Sequence, residues 1–136
     1  MDISGVNPLK LTKLKLSKDA SNMLRFVAGR TGLTPNLLCR IGFCMSLNEQ
    51  KIPNPDEYPE DDREFNRYTL LGEHDDLFVA LLKERMRRDG VEQTAIDEHF
   101  RAHMNRGVML LQRRVKNIGD LADLVVSAQN QPHAAH

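Results

Sequence analysis

The 136-residue sequence predicts a mainly α-helical fold, a single domain over residues 1–136, that opens with one strand followed by two helices. Three observations carry this expectation. Residues 11–16 alternate between apolar and polar side chains, the period of a half-buried strand. From Ser17 onward, apolar residues recur at helical spacing between helix-capping residues. The length suits one core that buries roughly two thirds of the unfolded surface, and no repeat of about 20–50 residues interrupts it.

The elements follow in order. Leu11, Lys13 and Lys15 point one way along the strand, and Thr12, Leu14 and Leu16 the other. Ser17 is a favoured N-cap for a helix whose apolar stripe is Ala20, Met23, Leu24 and Val27, and Gly32 suits its C′ position. Thr34 and Pro35 open the next helix as N-cap and N1. Its broad apolar face is read as Leu37, Leu38, Ile41, Cys44, Met45 and Leu47. Residues 10–47 thus form a strand–helix–helix unit.

An acidic, proline-rich loop is expected over 48–64, where Pro53, Pro55 and Pro59 bar a regular helix. A loop of this length is often functional or mobile. Residues 65–128 read as a helical part. In it Phe65, Tyr68, Leu70 and Leu71 return the chain to the body, with strand or irregular structure left open for 65–70. Asp75 and Asp76 begin a helix striped by Leu77, Phe78, Leu81, Leu82 and Met86, which ends at Gly90. Thr94 with Asp97 resembles a capping box at the head of a long helix reaching about Asn117. Its buried face is Ile96, Phe100, Met104, Val108, Leu111 and Val115. A short last helix is capped by Asp120, and 129–136 form a polar, fraying tail.

Formal net charge is zero, which argues against coating nucleic acid by bulk attraction. The charges are segregated, however. Residues 1–51 hold eight Lys/Arg against three Asp/Glu, residues 52–76 two against nine, and residues 77–136 nine against seven. The acidic stretch reads either as a face that repels DNA and leaves the basic head as the docking side, or as a solvated loop. No apolar run approaches the roughly 20 residues of a membrane span, and the N-terminus lacks the order of a secretory signal, so a cytoplasmic protein is expected. Cys39 and Cys44 are then reduced thiols, read as small core residues rather than metal ligands.

The sequence carries no recognisable catalytic pattern. There is no phosphate-binding loop, dinucleotide fingerprint or H-E-x-x-H. His99 and His103 share a helix face but lack a third ligand, and are read as residues of a wet face or a subunit contact. No catalytic residue, cofactor or metal is assigned. The better candidates are basic. Lys13, Lys15 and Lys18 lie on or just beyond the strand's polar face, Arg30 ends the first helix, and Arg40 lies one turn into the second. The helix start at Thr34-Pro35-Asn36 offers a dipole end suited to phosphate. Such contacts give salt-sensitive affinity with little sequence information. Strand–helix–helix with a lysine-bearing strand is also the layout of ribbon-helix-helix modules, in which strands of two chains pair into a DNA-reading ribbon.

Four blocks, LKLSKDAS, GRTGLTPNLLCRIGFCMSLNE, EFNRYTLLGEHDDLFVALL and HFRAHMNRGVMLL, resemble the DNA sulfur-modification family DndE, over about residues 8–120. The resemblance implies a non-enzymatic accessory protein of DNA phosphorothioation, in which sulfur replaces a non-bridging backbone oxygen. It implies a homo-oligomer, with a tetramer expected, that binds double-stranded DNA and prefers nicked duplex. It also implies partners: a cysteine desulfurase, an iron–sulfur protein and an ATPase-like protein. Family lysines implicated in DNA contact carry over only to basic positions in the matching blocks, for which Lys13, Lys15 and Lys18 are chosen. An assembly adaptor with incidental DNA contact and a ribbon-helix-helix regulator are the competing readings, and an enzyme finds no nucleotide-binding loop to support it.

Overall fold

The computed structural model of the chain describes residues 9–130; the N-terminal residues 1–8 and the end of the expected tail, 131–136, lie outside the described part. The element order is β1 (Lys13–Lys15), α1 (Lys18–Thr31), α2 (Pro35–Leu47), β2 (Glu64–Asn66), α3 (Arg67–Leu71), α4 (Asp75–Asp89), α5 (Ile96–Arg114) and α6 (Ile118–Asn130). Single 3₁₀ turns precede β2, α4 and α5. No described helix is long and apolar enough to cross a membrane.

The strand forms as its alternation requires, with Leu14 and Leu16 buried and Lys13 and Lys15 exposed. It pairs antiparallel with β2 of the same chain, Lys13 opposite Asn66, Leu14 opposite Phe65 and Lys15 opposite Glu64. The ribbon is therefore closed within one chain rather than built from two. Residues 65 and 66, left open between strand and irregular structure, belong to β2, and α3 follows at once because the Asn66 side chain accepts from the Tyr68 and Thr69 amides. Phe65, Leu70 and Leu71 are buried, but Tyr68 is 53% exposed and does not anchor the segment.

Ser17 and Thr34 cap α1 and α2 as expected, each side chain accepting from the amide three residues on. Gly32 closes α1 at φ 74°, the left-handed conformation that glycine adopts without a Cβ penalty. Two caps differ from expectation. Thr94 lies inside the 3₁₀ turn, and α5 begins after Ala95 with no side-chain cap, while Asp97 Oδ1 instead accepts the Lys10 amide at 3.1 Å. At α6 it is Asn117, not Asp120, whose side chain accepts from the helix, taking the Asp120 amide at 3.0 Å. Asp120 returns a bond to the Lys116 amide at 2.9 Å. The last helix is also longer than read, running to Asn130.

The centre of the fold is α5 against α2. Ile96, Phe100, Met104, Val108, Leu111 and Val115 are all buried as read. On α2 the buried face is not the broad apolar one. Leu38, Cys39, Gly42, Phe43, Ser46 and Leu47 are buried, whereas Leu37 and Cys44 are exposed and Ile41 and Met45 only partly covered. Small residues set that face because the two helices touch backbone to backbone. A Cβ on Gly42 would meet the Gly107 carbonyl at 2.7 Å, and one on Gly107 would lie 2.1 Å from the Gly42 oxygen. Cys44 is accordingly no core residue, while burial pushes the Cys39 thiol up to about 12. Leu77 and Leu81 are likewise outside the core, at 55% and 40% exposure.

Candidate nucleic-acid interface

Lys13 and Lys15 are exposed on the same face of β1, and Lys18 is exposed at the first position of α1. Arg30 sits at the far end of α1, roughly 18 Å along the axis from Lys18 at 1.5 Å per residue. Its guanidinium lies over the exposed Phe26 ring, 4.6 Å from the centroid. Arg25, the residue before Phe26, adds a further exposed cation to α1. Arg40 is separate from these. Its Nε donates to the Leu70 carbonyl at 2.6 Å and its Nη2 to that of Thr69 at 3.3 Å, so it ties α2 to α3. At the start of α2, the Leu37 amide is taken by Thr34 Oγ1.

The acidic stretch does not form an opposing face. Its end runs alongside the lysines: the Leu16 amide donates to the Arg63 carbonyl, the Asp62 amide to that of Leu16, and the Lys18 amide to Asp61 Oδ1 at 2.8 Å. Glu64 lies 3.7 Å from the Lys13 ammonium. Both groups are largely solvated, so the pair contributes little stability, but it leaves the ribbon close to charge balance. Antiparallel pairing of a basic with an acidic strand is the physical reason: opposite charges across a ribbon are favourable and like charges are not.

Nor is the remaining linker free. Arg85, 4% exposed, donates to the carbonyls of Ser46, Leu47, Glu49, Gln50 and Lys51 and to Asp89 Oδ2. Arg101 donates to the Tyr58 and Pro55 carbonyls. Arg106 donates to Ser46 Oγ and to the carbonyls of Ser46 and Lys51. Three arginines from α4 and α5 therefore fix the course of the segment expected as an acidic, proline-rich loop. Arg67 does similar work at the ribbon, bidentate to Asp75 at 2.9 and 2.7 Å and bonded to the Leu9 and Leu11 carbonyls.

His99 and His103 are not on a wet face. They are 6% and 0% exposed, and His103 faces α2, where Ser46 Oγ lies 2.8 Å from its Nδ1. Burial, then Arg106, Arg85 and His99, lower the His103 pKa to about 3. No group of three metal-binding side chains occurs among the described residues. Cations that the sequence did not single out include Arg63, over the Phe65 ring at 4.8 Å, and Arg106 and Arg113, which share one face of α5. The spacing of seven residues between Arg106 and Arg113 was the available signal.

The fold and this surface define a small helical protein with a charge-balanced ribbon and exposed cations on α1. Residues 13–118 match the family model for the DNA sulphur modification protein DndE, and the chain belongs to that family, whose members take part in DNA phosphorothioation. The fold is similar to the crystal structure of DndE from Escherichia coli B7A involved in DNA phosphorothioation modification. That likeness has a TM-score of 0.61 and 27% identity, covering 74% of this chain and 96% of that one. A glycine-to-lysine double mutant of DndE, also involved in phosphorothioation, has the same fold, with a TM-score of 0.58 and 22% identity over 76% of this chain and 98% of that one. No curated protein matches the chain.

Proposed function

We propose that this protein is a non-catalytic DNA-binding subunit of the phosphorothioation machinery, acting as a cytoplasmic homo-oligomer, a tetramer in the simplest case, on nicked duplex. The observation that carries the reading is the side-by-side exposure of Lys13 and Lys15 on the ribbon, next to Lys18 at the start of α1. Arg30 extends this basic edge along α1, and Arg40, tied to the α3 carbonyls, would offer a separate contact on α2. Because Asp61 and Glu64 balance the ribbon, affinity rests on matched contacts with phosphates more than on bulk attraction. The DNA-modifying chemistry falls to partners: a cysteine desulfurase, an iron–sulfur protein and an ATPase-like protein. The chain folds as one domain, 1–136, under this reading.

The test is binding of intact and nicked duplexes of one sequence across a salt series, for the parent and for Lys13→Glu/Lys15→Glu, with oligomeric mass measured alongside. The parent should prefer the nicked duplex. The variant should lose affinity and flatten the salt dependence by roughly one unit of slope per phosphate contact removed. Equal binding by parent and variant would sink the assignment of the ribbon. An assembly adaptor is the second reading, favoured by the open apolar cavity of about 550 Å³ between α2 and α6, lined by Ile41, Cys44, Met45, Leu121 and Leu124. A ribbon-helix-helix regulator is less favoured, because the β1 edge facing β2 is used within the chain.

A further inference from the structure

On the side of α5 that carries Arg106 and Arg113, the clamped linker leaves a cleft of about 200 Å³. Glu49, Lys51 and Tyr58 line it from the linker, and Arg106, Met109, Leu110 and Arg113 from α5. Glu49 faces Arg114 at 3.6 Å, so the carboxylate already has a cation outside the three that line the space. Arg106 is half-buried, and its three acceptors, Ser46 Oγ, the Ser46 carbonyl and the Lys51 carbonyl, are all neutral. Those bonds occupy three of the five guanidinium N–H groups, leaving two donors. Burial and the nearby Arg85 lower the Arg106 pKa, while Tyr58, Glu49 and Asp89 partly hold it up. Burial and the neighbouring Glu57 raise the pKa of Tyr58, and Arg106 and Arg113 draw it back, which puts both guanidiniums within electrostatic reach of that phenol.

We propose that this cleft is an anion site that takes a phosphomonoester, with Arg106 as its fixed fork and Lys51 and Arg113 closing over it. Planar guanidiniums match phosphate oxygens in geometry, and a site walled by α5 and the clamped linker holds them without reorganisation. The size decides the class of ligand. A terminal phosphate, with ester linkage on one side only, can project into a recess of this volume, whereas a phosphodiester inside a duplex is flanked by sugar on both sides. Two sources share that chemistry: a soluble phosphate ester, and the 5′-phosphate exposed at a break in a DNA strand. Only the second rests on the DNA-binding reading above; the site itself stands on its geometry.

The first experiment titrates the full-length protein with inorganic phosphate by calorimetry and by NMR of the arginine side-chain N–H groups. Saturable binding should shift the Arg106 and Arg113 signals. Lys51→Gln/Arg113→Gln, both exposed positions, should weaken binding about tenfold or more with an unchanged melting temperature. Arg106→Lys, which keeps the charge and loses the fork, should weaken it as well. The second experiment compares duplexes nicked with a 5′-phosphate or a 5′-hydroxyl. Tighter binding of the phosphorylated nick, abolished in the double variant, assigns the site to DNA ends. Equal binding of the two nicks with phosphate still held assigns it to a soluble ester. Phosphate binding without any DNA binding would refute the DNA reading and leave the site standing. Absence of phosphate binding, or shifts confined to the ribbon lysines, would overturn the proposal.

Discussion

Replacing Gly107 with alanine tests the central contact of the fold most directly. The new Cβ would lie 2.1 Å from the Gly42 oxygen, 2.3 Å from its carbonyl carbon and 2.7 Å from the Phe43 nitrogen. Carbon contacts are optimal at roughly 3.5–4.0 Å, so α2 and α5 must part by more than about 1 Å at this crossing. No side chain can rotate away, because every close atom is backbone. Parting the helices loosens Phe43 against Phe100, whose rings stand 5.6 Å apart, and the Ser46–His103 bond one turn further along. Overpacking of a core costs typically 1–3 kcal/mol, and a rigid obstacle places this case at about 3 kcal/mol or above. At this chain length that is a fall in melting temperature of roughly 10 °C. Gly29→Ala is the matched control. It lies within α1 with nothing within 4 Å of the added carbon, so alanine should stabilise by about 0.5–1 kcal/mol. Thermal and urea unfolding of the two variants check both signs. A Gly107→Ala protein melting within a few degrees of the parent would refute the close crossing.

Two further outcomes follow from the buried polar groups. Arg67→Met strands the carboxylate of Asp75 and two backbone carbonyls, which should cost about 3–5 kcal/mol by urea denaturation, and Arg67→Met/Asp75→Leu should recover much of it. His103 is depressed from 6.5 to about 3, so below pH 6.5 the unfolded chain binds a proton that the native one refuses. Stability from this group is complete above pH 6.5 and declines as pH falls toward 3, by up to roughly 1.4 kcal/mol per unit. His103→Gln should flatten that part of the stability–pH profile; an unchanged profile would assign the acid lability elsewhere.

Sequence patterns reported the fold where one chemical rule acts alone. Ser17 and Thr34 cap helices because hydroxyls accept backbone amides, and β1 alternates because one face is wet. The apolar stripe of α5 was legible for its length. The buried face of α2 was not, since Leu37, Ile41, Cys44 and Met45 make the helix apolar nearly all round. There the decision fell to size, not hydrophobicity, at Gly42 and Ser46. The site suffered from a related ambiguity. An arginine reads as surface charge, yet Arg67 and Arg85 are 7% and 4% exposed and bond to backbone. The partner of Lys13, Glu64, lies fifty-one positions away and becomes its neighbour only through the β1–β2 register.

The Arg85 clamp holds the linker by its carbonyl oxygens, the one group that every amino acid offers identically. Residues 49–51 can therefore change side chain without losing the acceptors that fix their course, and the information for that course resides in α4, more than thirty positions downstream. Variation in the linker is thereby uncoupled from its path: Glu49 and Lys51 are free to set what the neighbouring cleft attracts, while the guanidiniums of Arg85 and Arg106 keep the wall in place.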